Sequence, residues 1–127
     1  MKLYRIIIPV GNIDEAETFY SQLFKLKGLR VSPGRHYFNL EGIIFACYDP
    51  TADGDDDSPS WKHHFNQYVY IAVDDLKKTF ETIRTLNPKK IDNSIERMPW
   101  GERLFYANDP WNNPICFVDR TTLFFGD

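Results

Sequence analysis

Residues 6–16, Ile6-Ile7-Ile8-Pro9-Val10-Gly11-Asn12-Ile13-Asp14-Glu15-Ala16, pass from an alternating strand pattern directly into a helix start. The same transition returns at Ile71-Ala72-Val73-Asp74-Asp75-Leu76. In the first copy Ile6, Ile8 and Val10 alternate with Arg5, Ile7 and Pro9, which predicts a strand over 3–10. Ala16, Phe19, Tyr20, Leu23 and Phe24 then form one apolar stripe at helical spacing, which predicts a helix over 14–25. Asn12 or Asp14 can cap its start, and Gly28 lies just past its end. In the second copy residues 67–73 alternate as a strand. Leu76, Phe80, Ile83 and Leu86 share one face of a helix over 75–87, with Asp74 or Asp75 as cap and Pro88 after the end. Val10 and Val73, Ile13 and Leu76, Tyr20 and Ile83, and Leu23 and Leu86 all stand 63 residues apart. A junction repeated in the same apolar phase marks an internal repeat.

Working outward, each helix is followed by three further strand candidates. In the first half they span 28–32, 35–41 and 43–49, broken at Pro33-Gly34 and Glu41-Gly42. In the second half they span 91–98, 102–108 and 114–119, broken at Pro99-Trp100-Gly101 and at Asp109-Pro110-Trp111-Asn112-Asn113. The chain is therefore expected to be one α+β domain of two tandem βαβββ modules. Module one takes 1–49, a linker 50–65, and module two 66–127. Two helices cannot cover both faces of eight strands. A curved mixed sheet with helices on its outer face and a cleft on the other follows from that shortfall. The linker's acidic run, Asp53-Gly54-Asp55-Asp56-Asp57, lacks the spacing of a calcium loop and reads as a solvated loop.

The 127 residues are 43% hydrophobic and 26% charged, enough for a real core and against a disordered chain. A net charge of −3 with no basic run argues against nucleic-acid binding. No apolar stretch is long enough for a membrane helix, and the start of the chain lacks a signal-peptide pattern. The expectation is a cytoplasmic protein without membrane contact. In that setting Cys47 and Cys116 are expected to be reduced, buried and small. The aromatic share, 16%, exceeds what a small core needs and suggests a ring-lined pocket or a partner surface.

The repeated unit resembles the module of the vicinal-oxygen-chelate superfamily, which includes glyoxalases, bleomycin-resistance proteins and dioxygenases. The most specific stretch is Pro99-Trp100-Gly101-Glu102-Arg103-Leu104-Phe105, followed by Asn108-Asp109-Pro110-Trp111-Asn112-Asn113-Pro114-Ile115. It is similar to the Pro-Trp-Gly and Asp-Pro-x-Gly-Asn segment of the bleomycin-resistance-like branch, with Asn112 in place of Gly. Asn tolerates the left-handed backbone such a turn needs. In metal-using relatives, the resemblance implies ligands at positions that here hold Arg5, Ala46, Tyr68 and Cys116. Arg has no lone pair to give and Ala no donor atom, so neither a metal nor another cofactor is expected. His63-His64 are neighbours that point to opposite faces if in a strand, which makes a shared ion difficult. His36 falls on a strand out of phase with Tyr37, and the sequence supplies no role for it.

The family register places Leu3, Arg5, Ile7, Ala46, Tyr48, Tyr68, Tyr70, Ala72, Cys116 and Val118 on the cleft side. It places Tyr4, Ile6, Ile8, Val69, Ile71 and Val73 toward the helices. Arg5, Tyr68, Tyr70, Tyr48, Trp100 and Cys116 are thus the candidate ligand contacts. No residue is assigned a catalytic role, because no histidine is placed to activate Cys116. Trp100 and Trp111 either roof the cleft or pack on a partner. The first expectation is a metal-independent binder of an aromatic or anionic small molecule, a non-enzyme. The alternatives are a metal-dependent lyase, isomerase or dioxygenase of the same superfamily, and a structural or regulatory dimer whose cleft its own side chains fill. A homodimer is expected in each case.

Overall fold

The computed structural model describes residues 1–55 and 66–126. Contacts divide the chain into two compact units, Met1–His63 and His64–Asp127. The acidic residues Asp56 and Asp57 and the pair His63-His64 lie outside the described residues.

In the first unit a strand β1 (Arg5–Pro9) leads into helix α1 (Ile13–Phe24), followed by β2 (Leu29–Ser32), β3 (Arg35–Leu40) and β4 (Ile43–Tyr48). The sheet order is β1-β4-β3-β2, with β1 parallel to β4 and the other pairs antiparallel. A parallel pair needs a crossover, and α1 supplies it. Asn12 is the cap, its side chain accepting the Glu15 amide at 3.0 Å. The helix ends at Lys25 in the left-handed region, three residues earlier than Gly28. Tyr20 and Phe24 from α1 meet Phe38 and Phe45 of the sheet, with ring centroids 4.7–6.4 Å apart. Ile8, Val10, Phe38, Phe45 and Cys47 are buried on this side. His36 shares that face and is also buried. Its Nε2 meets the Lys27 carbonyl at 3.0 Å, while its Nδ1 lies 3.4 Å from Arg30 Nε. A closed pair of local bonds thus accounts for a residue whose sequence position suggested nothing.

The second unit repeats the plan with β5 (Val69–Val73), α2 (Leu76–Thr85), β6 (Lys90–Ile91), β7 (Glu96–Arg97), β8 (Arg103–Asn108) and β9 (Pro114–Asp119). The order is β5-β9-β8-β6, with β7 also pairing β8 and β5 parallel to β9. Asp75 caps α2 by accepting the Lys78 amide at 3.0 Å. Phe80 stands edge-on to Phe105 at 5.0 Å, and Phe105 stacks on Phe117 at 5.1 Å. The architecture is therefore α+β, a βαβββ unit and a second unit in which one of the three strands after the helix is split in two, carrying mixed sheets of four and five strands among the described residues. None of the helices there is long and apolar enough to cross a membrane.

Two expectations need correction. The strand expected over 91–98 is two short ones, because its pairing with β8 shifts register between Ile91 and Glu96. Asp92 holds the break: its amide donates to the Tyr106 carbonyl at 3.0 Å and its carboxylate accepts the Tyr106 amide at 2.9 Å. Asp53, at the start of the acidic run, is not solvated either. Asp53, with only 6% of its side chain exposed, accepts from Ser32 Oγ at 2.9 Å, from the Gly34 amide at 2.5 Å and from Arg35. One carboxylate thereby clamps the β2–β3 turn, since a desolvated charge is tolerated only when its lone pairs are matched.

Candidate functional site

Strand pairing settles which side chains meet on the sheet face of the second unit that lacks the helix. Tyr70 of β5 stands opposite Cys116 of β9, which stands opposite Tyr106 of β8. Lys90 of β6 stands opposite Asn108 at the far end of β8. Strands two apart are separated by about 10 Å. The short side chain of Cys116 between them leaves room for both phenols to lean inward. Their hydroxyls come within 3.3 Å, and Tyr68 sets its ring edge-on to Tyr106 at 5.5 Å. The result is a surface recess of about 250 Å³ lined by Tyr68, Tyr70, Lys90, Asp92, Tyr106 and Asn108.

Cys116 is fully buried and packs with Leu104, Val118, Met98 and Tyr106. Burial pushes its thiol up to about 12, so it keeps its proton at neutral pH. Tyr106 is held well above the ordinary phenol range, first by the hydrogen bond it shares with Tyr70 and then by burial. Asp92 has one oxygen on the Tyr106 amide, and the Asn108 amide donates to Asn112 Oδ1 at 2.7 Å. Lys90 makes no ion pair among the described residues.

The turn that sets the β8–β9 register is built around Asp109. This buried carboxylate accepts the Trp111 and Asn113 amides at 2.9 and 2.8 Å and Asn113 Nδ2 at 2.7 Å. Asn112 takes the left-handed backbone expected of it, with φ 70°.

The expected site residues fall into three settings. Tyr68 and Tyr70 line the recess and are 46% and 56% exposed, while Cys116 lies buried beneath it. Trp100, in the same unit, is half exposed but is not part of the lining. Its Nε1 donates to Glu102 Oε1 at 2.7 Å, beside a turn that the Gly101 and Met98 backbones close. Arg5 and Tyr48 belong to the first unit. Arg5 donates to the Tyr37 hydroxyl at 3.1 Å and sits 5.3 Å from the Tyr4 ring centroid. Tyr4, expected toward the helix, is instead 60% exposed beside Arg5. It precedes β1, so no pleat forces it inward. Tyr48 is buried, donates to Asp55 and carries Arg35 over its ring. The Asp55 carboxylate holds its phenol above the usual value.

Sequence reasoning missed Tyr106, Lys90, Asp92 and Asn108. Tyr106 was within reach, because an antiparallel hairpin centred on 109–113 puts it opposite Cys116. Lys90 and Asp92 were not, because the register break between β6 and β7 leaves no periodic signal.

The four positions the resemblance assigns to metal ligands do not suit a divalent ion. Arg5 has no lone pair and Ala46 has no donor atom, which leaves only Tyr68 and Cys116, fewer than the three or four donors such an ion takes. Among the described residues, no group of three or more His, Cys, Asp or Glu side chains is arranged to hold a metal.

The sequence matches the family profile of the Glyoxalase/Bleomycin resistance protein/Dioxygenase superfamily over residues 2–117. No curated protein gives a significant sequence match. Among solved structures, a lactoylglutathione lyase from Agrobacterium tumefaciens superposes with a TM-score of 0.70 at 17% identity, over 93% of this chain and 92% of that one. A glyoxalase-related enzyme from Fulvimarina pelagi gives 0.75 at 14% identity, over 94% and 88%. A glyoxalase/bleomycin resistance protein from Albidiferax ferrireducens T118 gives 0.74 at 15% identity, over 91% and 96%. At such identities the likeness carries the fold alone.

Proposed function

The chain belongs to the Glyoxalase/Bleomycin resistance protein/Dioxygenase superfamily, and from that premise we propose that it is a metal-independent binder of a small aromatic or anionic molecule. The observation that carries this reading is the recess walled by three tyrosines with Lys90 among its polar groups. Phenol rings offer stacking and edge contacts to a flat ligand, and their hydroxyls and the ammonium give it orientation. Ligand sites commonly span about 300–1,000 Å³, so a recess of about 250 Å³ suits a single ring. The donor chemistry at Arg5 and Ala46 supports independence from a metal. Arg5, exposed on the first unit, and Trp100, exposed on the second unit outside the lining, are retained as separate ligand contacts and not as walls of this recess. The proposal also takes the protein to be a cytoplasmic homodimer, which sedimentation of the purified chain would check.

The test is a titration of the isotopically labelled chain with benzoate and with phenol, in EDTA, followed by amide and tyrosine-ring NMR signals. Shifts should concentrate at residues 68–70, 90–92 and 106–108. The Tyr68→Ala/Tyr70→Ala double variant should bind at least about tenfold more weakly, the loss of two ring contacts. Binding abolished by EDTA, or shifts confined to other residues, would overturn the proposal.

A further inference from the structure

We infer that the recess selects a ring bearing one carboxylate, with Tyr70 as the hydrogen-bond donor to that carboxylate and Lys90 as its counter-charge. This rests on the reading of the recess as the ligand site and names the chemical class it takes.

The geometry is a row of three polar side chains crossing three adjacent strands. Cys116 at the floor is fully buried, Tyr106 above it is half-buried, and Tyr70 is 56% exposed at the rim. The two hydroxyls are 3.3 Å apart. Either of them could be the donor of that bond, so the direction of the row is open until a ligand sets it. A phenol has one proton, a thiol sulfur is a weak acceptor, and an ammonium only donates. With an anion in the recess, the order of least conflict has the Cys116 thiol facing the Tyr106 oxygen and the Tyr106 hydroxyl donating to the Tyr70 oxygen. The Tyr70 hydroxyl then points outward at the ligand. The raised titration of Tyr106 and Cys116 keeps both neutral at physiological pH, so the floor adds no charge against an anion.

Lys90 supplies the positive charge, and no carboxylate among the described residues pairs with it. Asp92 limits the count to one. Its carboxylate is held in the lining by the Tyr106 amide and would repel a second negative group while accepting from a ligand hydroxyl. A neutral ring gives up the charge-assisted bond and a cation meets Lys90, so both should bind less well.

The experiment is calorimetric titration of the full chain with benzoate, benzamide, benzamidine and phthalate, ligands of one ring and different charge. Benzoate should bind at least about tenfold more tightly than the other three. Lys90→Gln and Tyr70→Phe should each shrink the preference of benzoate over benzamide toward unity while the ring still binds. Equal binding of benzoate, benzamide and benzamidine would overturn this inference and leave the ligand site standing. So would a charge preference that survives both substitutions, or phthalate binding as tightly as benzoate. If none of the four binds, the reading of the recess as a ligand site falls, and the inference with it.

Discussion

Replacing Asp109 by Ala should cost this protein more than any comparable change on its surface. The residue is 1% exposed, and among the described residues its carboxylate accepts at least three hydrogen bonds, from two backbone amides and the Asn113 side chain, at 2.7–2.9 Å. A hydrogen bond contributes about 0.5–1.5 kcal/mol net, and more where one partner is charged. Three of them set the expected loss at about 3 kcal/mol or more. The buried Asn113 amide, stripped of this acceptor, adds to the loss. For a domain of this length that corresponds to a fall in Tm of about 10 °C. Asp109→Asn is the informative partner variant. It retains an oxygen for the two backbone amides but sets an NH2 against Asn113 Nδ2, donor against donor, and should lose about half as much. Urea melts of the three proteins, with slopes compared to confirm a common unfolded state, measure both numbers. A loss below about 1 kcal/mol for the alanine variant would refute the assignment of this carboxylate as the organiser of the β8–β9 turn. Because that turn sets Tyr106 opposite Cys116, the alanine variant should also blur the NMR signals of the recess.

Gly34→Ala should be severely destabilising, by about 3 kcal/mol in a urea melt, because an added Cβ would stand 2.1 Å from the Asp49 carbonyl oxygen; a loss below about 0.5 kcal/mol would show that the turn yields freely. Asp119 titrates below its ordinary range because it accepts the Thr121 amide and hydroxyl, with Arg103 adding charge. A depressed folded value means its stabilisation is fully present above about pH 4, the unfolded value, and fades as pH falls further. Asp119→Asn should therefore narrow the gap between melting points at pH 7 and pH 3; an unchanged gap would sink the assignment. The Cys47 and Cys116 thiols, both buried and reduced, should react with a thiol reagent at pH 8 only as fast as the chain opens, with urea accelerating the labelling. Immediate labelling of Cys116 in the native protein would contradict the burial that raises its titration.

The repeat was legible because each strand-to-helix junction is local. The Ile8–Val10 and Ile71–Val73 alternations, the Asn12 and Asp75 caps and the stripe of Ala16, Phe19 and Tyr20 all act within a few residues of chain. The left-handed Asn112 was legible for the same reason. Tyr68 and Tyr70 could be placed on one face by period two alone. What surrounds them could not, because their neighbours come from β8 and β6, more than a dozen residues away in sequence, and depend on register. The two-residue slip between Ile91 and Glu96 is invisible to periodicity, and with it went Lys90 and Asp92. Asp53 shows the same limit from the other side, since a carboxylate in an acidic run reads as solvated until its three partners are brought to it.

By itself, then, the sequence determined the class of fold and the alternation within the longer strands, because backbone periodicity and capping are properties of adjacent residues. It also settled that Arg5 and Ala46 are not metal donors, because that is a matter of which atoms a side chain owns. Only the tertiary structure decided that Tyr70 and Tyr106 meet over Cys116, that Lys90 stands at the same recess, and that Trp100 is not part of its lining. Those are pairings across strands, and a pairing is set by hydrogen-bond register, turn length and bulges acting together, none of which is written at any single position of the chain.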